Sequence, residues 1–227
     1  MTGTVTLQSP TARTCSPAGA ITRSLLGYGI VAGPLYVAVS AVQIATRAGF
    51  DPTVHAWSQL ALGGPGWIQV TNLIVTGLMT TAFAVGLRRA LAGGRADRWA
   101  PRLIALYGLS MVVSGLFRAD AAQGFPVGTP DGPGVVSPHG VVHLGAGAVG
   151  FTALAAAAFV LARRFRDDGR PRWAMASRTV GTIVVVGFAA VASGIGSAGV
   201  LAFTAAVLAG AGWTCAVAAN QYRRVQP

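Results

Sequence analysis

His139 and His143 stand four residues apart in Ser137-Pro138-His139-Gly140-Val141-Val142-His143. On a helix this spacing puts both imidazoles on one face, about one turn apart. Such a pair can hold a metal ion, and Asp120 with His55 could complete the shell. The pair also has a plainer reading, in which His139 caps the helix or faces water and His143 hydrogen-bonds a neighbouring helix. No Glu follows His139, so the zinc-protease pattern is absent. Asp120 follows Arg118 closely. A carboxyl withdrawn from water is a usable acid, whereas a guanidinium beside it keeps it a structural anion. Asp51 before Pro52 and Asp131 before Gly132 also suit turns. The three histidines and three of the six aspartates fall in two stretches, 47–69 and 117–143, and this clustering is the main pointer to function.

The elements that must position these residues are six apolar runs of about 20 residues, each long enough to cross roughly 30 Å of hydrocarbon as a helix. They lie near Ser24 to Thr46, Trp67 to Leu87, Arg102 to Phe117, His139 to Ala162, Ala176 to Gly194 and Gly199 to Ala219. The expected fold is all-α, an integral membrane bundle of six transmembrane helices over residues 24–219. A disordered tail, 1–23, precedes it and a short tail, 220–227, follows. The first tail has no early apolar core or small-residue cleavage site, unlike a signal peptide. Gly29 and Gly33 are the kind of small pair that lets membrane helices approach closely.

Composition agrees with a membrane assignment. Hydrophobic residues make up 53% of the chain and charged residues 10%, and the mean hydropathy is +0.59, too apolar for an ordinary soluble domain. The charged residues are 17 Arg and 6 Asp, with no Lys or Glu. Without lysine no Schiff base can form, which excludes retinal and pyridoxal chemistry. Cys15 in the first tail and Cys215 in the last span are expected far apart in depth, so no disulfide follows. Fifteen of the 17 arginines fall on one side of the six-span arrangement, and only Arg47 and Arg118 on the other. Basic residues resist translocation, so both termini are expected in the cytoplasm and the histidines outside, in a bacterial cytoplasmic membrane. The basic clusters then serve topology and anionic-lipid contact, not nucleic acid. The echo of Arg88-Arg89 and Arg98-Trp99-Ala100 in Arg163-Arg164 and Arg172-Trp173-Ala174 fits interfacial anchoring of helix ends.

Several runs resemble the bacterial membrane family called domain of unknown function 998. They are Gly33-Pro34, Phe50-Asp51-Pro52, His55, Ser58 to Gly63, Gly66-Trp67-Ile68-Gln69 and Asn72, then Phe117-Arg118-Ala119-Asp120, Gly124-Phe125-Pro126, Gly128-Thr129-Pro130 and Ser137-Pro138-His139-Gly140 with His143. The resemblance covers roughly residues 27 to 219. It implies a six-helix membrane protein with a polar site near the outer face, and no activity. In size, span count and few intramembrane acids the chain also resembles small bacterial membrane cyclases that fold prenylated aromatics.

Three functions compete at this stage. The first is a membrane-embedded terpene cyclase, in which a carboxylic acid protonates a lipophilic chain and aromatic faces stabilise the carbocation. Its catalytic candidates are Asp120, Asp51, His139, His143 and His55; Tyr36, Trp57, Trp67, Phe117, Phe125 and Trp213 are candidates to line its cavity, and it needs no cofactor. Each of these aromatics also suits an interfacial anchor. The second is a metal-dependent lipid hydrolase using His55, Asp120, His139 and His143. The third is a non-enzymatic membrane binding or assembly protein. The two polar connections, rich in Gly and Pro, are expected to pack together over the bundle mouth, because irregular backbone at membrane depth must be buried in protein or line a cavity.

Overall fold

A computed structural model describes residues 17–91, 93 and 95–226. The chain is a six-helix bundle of α1 (Pro17–Thr46), α2 (Gly66–Ala90), α3 (Arg95–Leu116), α4 (Pro138–Asp167), α5 (Pro171–Ala192) and α6 (Ser197–Arg224), with a short 3-10 turn at Trp57–Ala61. All six helices are long and apolar enough to cross a membrane. Several outrun the apolar runs that announce them. α1 begins at Pro17, not Ser24, so the end of the expected tail is helical, and α6 continues to Arg224 past the expected end at Ala219. The hydropathy pattern marks the thickness of hydrocarbon, whereas nothing in the flanking arginine-bearing turns stops a helix. Residues 1–16 lie outside the described residues, and with them Cys15 and its comparison with Cys215.

Each helix packs on its neighbours in chain order and α6 closes on α1, making a ring. Small residues set the contacts. A Cβ on Gly33 would stand 2.7 Å from the Ala211 carbonyl oxygen, and one on Gly29 would collide with Phe83. The outer surface carries Val31, Val75, Leu78, Leu109, Val186 and Leu208 exposed, the apolar exterior that lipid requires. At the end bearing most arginines the ring is plugged by Leu26, Phe83, Leu87, Ile104, Leu154, Leu161, Phe165, Trp213 and Val217. At the opposite end the centre is open, and the two long connections cover it.

These connections are locked together. His55, 3% exposed, accepts the Asp51 N–H on Nδ1 at 2.9 Å and donates from Nε2 to the Gln123 carbonyl at 2.9 Å. Its ring lies between Phe50 and Phe125, each 5.3 Å away, and Phe50 meets Phe125 edge-on at 5.2 Å. Arg47 donates to the Leu60 carbonyl at 3.0 Å and to that of Leu62, and lies 5.4 Å over the Phe125 ring.

Candidate functional site

Beneath these loops lies a cavity of about 330 Å³, bounded by residues of all six helices and of both connections. This is within the range of about 300–1,000 Å³ typical of small-molecule sites. Its deep part is apolar and aromatic. Phe151 lies 5.7 Å from Phe188, 4.8 Å from Phe203 and 6.0 Å from Tyr107, and Tyr36 stacks with Trp57 at 6.1 Å; all six rings line the cavity. Leu73, Met111 and Val207 fill the gaps between them.

Trp57 is held by a polar network buried between α1 and α2. Gln69 Nε2 donates to the Trp57 carbonyl at 3.3 Å, while its Oε1 accepts from Gln43 at 2.8 Å and from Asn72 at 3.2 Å. Asn72 also donates to the Tyr36 carbonyl at 3.1 Å. Gln59 reaches back to the Ala56 N–H at 2.9 Å and so braces the 3-10 turn. In hydrocarbon such bonds have no competing water, so the network fixes where the turn sits over the cavity. The buried Trp57 Nε1 has no partner among the described residues.

Besides the phenols of Tyr36 and Tyr107, a carboxyl and an imidazole line the cavity, Asp120 and His143. Asp120 Oδ2 accepts the Ser137 N–H at 2.9 Å and Oδ1 accepts the Ser137 hydroxyl at 2.5 Å; the Ser137 oxygen in turn accepts the Gly140 N–H at 3.1 Å. Ser137 caps α4, with Pro138 at the first turn, so the carboxylate stands at the positive end of that helix. Only glycine admits it there: a Cβ on Gly140 would collide with Asp120 Oδ2. One turn further along α4, His143 Nδ1 donates to the carbonyls of Phe117 at 2.9 Å and Ser114 at 3.1 Å. Those carbonyls are at the end of α3, where they lack helical partners. They fix the Nδ1–H tautomer and so leave Nε2 as a basic lone pair on a cavity-lining side chain.

The other candidates lie elsewhere. His139 is exposed, its ring 5.4 Å from Phe117. His55 and Phe125 belong to the lock between the loops. Asp51 is exposed; Thr53 gives its Oδ1 an N–H at 2.8 Å and a hydroxyl at 2.7 Å, and these bonds hold its carboxyl below the usual aspartate value. Trp67 is exposed, and Trp213 is buried in the arginine-end core, donating to the Ser177 hydroxyl at 3.0 Å. His55, Asp120, His139 and His143 do not form a shell: among the described residues no three His, Cys, Asp or Glu come together as metal ligands. His139 stands in the first turn of α4, outside and against Phe117, whereas His143, one turn further along, meets the last carbonyls of α3. Of the proposed cavity aromatics, Tyr36 and Trp57 are there; Tyr107, Phe151, Phe188 and Phe203 join them without having been singled out.

A family model described as "Protein of unknown function (DUF998)" matches residues 30–220. The chain belongs to that family. The match takes in every residue of the cavity in this DUF998 chain. No curated protein matches it, and no solved structure does.

Proposed function

We propose that this DUF998 chain is a membrane-embedded enzyme acting on a lipophilic substrate, most concretely a protonation-initiated terpene cyclase for a prenylated aromatic. The observation that carries the reading is one cavity holding six aromatic rings together with a carboxyl and an imidazole. The chemistry balances without a cofactor. Protonated Asp120 gives its proton to an alkene carbon or epoxide oxygen of the substrate. The positive charge then migrates as ring bonds form, over the faces of Phe151, Phe188, Phe203 and Tyr107. His143 Nε2 removes a proton from the last cation, and the imidazolium so formed is stabilised by the α3 carbonyls that receive its Nδ1–H. Once product has left, it returns that proton to the Asp120 carboxylate of the same cavity, which restores acid and base. The Ser137 hydroxyl, donor to the carboxylate, can turn to accept from the acid form. The partnerless Trp57 N–H is a donor for a polar atom of the substrate.

Membranes containing the protein would be incubated with a panel of prenylated aromatics, with and without chelator. A cyclised product of unchanged mass, insensitive to chelator, is expected for an alkene substrate, and an absence of product across the panel would sink the reading. A second reading, a lipid-binding protein without chemistry, is favoured by the two bonds that tie Asp120 to Ser137, since they suit a carboxylate serving as part of a helix cap. In that reading a chain is bound but recovered unaltered.

A further inference from the structure

The cavity has an open side within the membrane. Toward the arginine-bearing end, Phe159 of α4 closes on α5: a Cβ on Gly181 would stand 3.0 Å from the Phe159 ring. Val141 precedes Phe159 by five helical turns and so lies on the same side of α4. There the side is uncovered, with Val141 58% exposed. Leu144, between that side and the cavity face, lines the cavity and is 63% exposed. A Cβ on Gly147, which also lines the cavity, would meet nothing within 4 Å. The two helices therefore pack at one end and part at the other.

The adjoining walls do not part. Between α3 and α4, His143 bonds two α3 carbonyls and a Cβ on Gly150 would collide with Ser110. Between α5 and α6, a Cβ on Gly187 would stand 2.5 Å from the Ala202 carbonyl oxygen, and one on Gly199 2.7 Å from that of Ala190. Leu144 lies about 9 Å along the axis from Pro138 at 1.5 Å per residue, well inside a spanning helix. The gap thus faces hydrocarbon.

We propose that the cavity is filled from the side, by a single hydrocarbon chain of a membrane-resident amphiphile that enters between α4 and α5 past Leu144 and Gly147. The tail lies on Phe151 and Phe188, and the polar end stays toward Asp120 and His143. This deepens the reading of the cavity as a site for a lipophilic substrate and rests on it. Water is absent along such a route, so the chain moves from one apolar medium to another, and its loading is governed by contact with the aromatic wall, not by the hydrophobic effect.

The test uses the full chain in phosphatidylcholine vesicles doped with palmitic acid carrying a diazirine near its methyl end. After irradiation, adducts are mapped by mass spectrometry. Adducts are expected on Met111 and Tyr36, which are buried and line the cavity, as well as on lipid-facing Leu78. Gly147→Trp, whose side chain has open space to occupy, should lose the Met111 and Tyr36 adducts and keep that on Leu78, which reports an intact bundle. Wild-type adducts confined to the outer surface, or undiminished Met111 labelling in Gly147→Trp, would overturn the lateral route. The readout needs no turnover. Chain entry without any product from prenylated aromatics removes the cyclase reading and leaves the route, whereas product formation without chain entry does the reverse.

Discussion

At the scale of single residues, His143 and His139 are a matched pair of tests, because one helix carries both and only one lines the cavity. Replacing His143 by Ala removes the base of the proposed cyclisation and should lower turnover of a prenylated aromatic by about 10²- to 10⁴-fold, the usual worth of a positioned proton-transfer group. His139→Ala should stay near wild type, since that ring is exposed on Phe117. Equal losses in the two variants, measured as initial rates in membranes, would contradict the assignment. Asp51→Asn should also leave the rate and its pH profile unchanged. That carboxyl is exposed and does not line the cavity, so a substrate held there does not meet it, and the Thr53 bonds that hold it below the ordinary aspartate value serve the loop turn. The candidate pair was legible because Asp and His are costly inside a membrane and stand out from their surroundings. Tyr107, Phe151, Phe188 and Phe203 were not, because an aromatic in mid-span reads the same whether it faces lipid, a neighbouring helix or a cavity. Only the rotation of each helix in the ring separates these cases.

At the scale of elements, the glycines of α4 divide its two faces. Gly145→Ala adds a methyl where nothing lies within 4 Å and should stabilise the helix by up to about 1 kcal/mol through propensity alone. Gly150→Ala drives its methyl into Ser110 at the α3 contact and should cost about 1–3 kcal/mol as overpacking. Thermal unfolding in detergent would rank the two; an equal response would mean that α3 and α4 are not in close backbone contact there. The loops have their own test in His55→Ala. It strands the Asp51 N–H and the Gln123 carbonyl and should cost about 1–3 kcal/mol, loosening the cover over the cavity. Protease sensitivity of residues 121–135 would report that loosening. The packing of the two loops on each other was legible, since Gly- and Pro-rich backbone at a bundle mouth has to be buried against protein. The pairing of His55 with Gln123 was not, because it spans 68 residues of chain and depends on how the loops fold back.

At the scale of the molecule, charge and cavity lie at opposite ends, and that separation bears on the leaflet in which the cavity opens. Among the described residues the end where α1 begins and α6 finishes holds 14 arginines and 3 aspartates, paired as Arg88 with Asp97, Arg164 with Asp168 and Arg166 with Asp167. Of the two arginines at the other end, Arg47 is bound to loop carbonyls and the Phe125 ring. Translocating the arginine-rich end would carry the basic segments across a bilayer, where an Arg at the centre of a span costs about 2.5–3.5 kcal/mol on insertion scales. The expected orientation therefore puts the arginine-rich end in the cytoplasm and the Asp120–His143 cavity under the outer face. In a chain with Cys15 and Cys215 replaced by Ala, Val135→Cys beside the cavity mouth should react with a membrane-impermeant maleimide in intact cells. Asp167→Cys should react only after permeabilisation. The reverse pattern would turn the bundle over, and a chain entering between α4 and α5 would then come from the cytoplasmic leaflet. Because Leu144 and Gly147 lie in the half of α4 nearer the cavity mouth, the labelling pattern fixes the leaflet of entry along with the topology, and substrate supplied to the outer leaflet alone should then suffice for turnover.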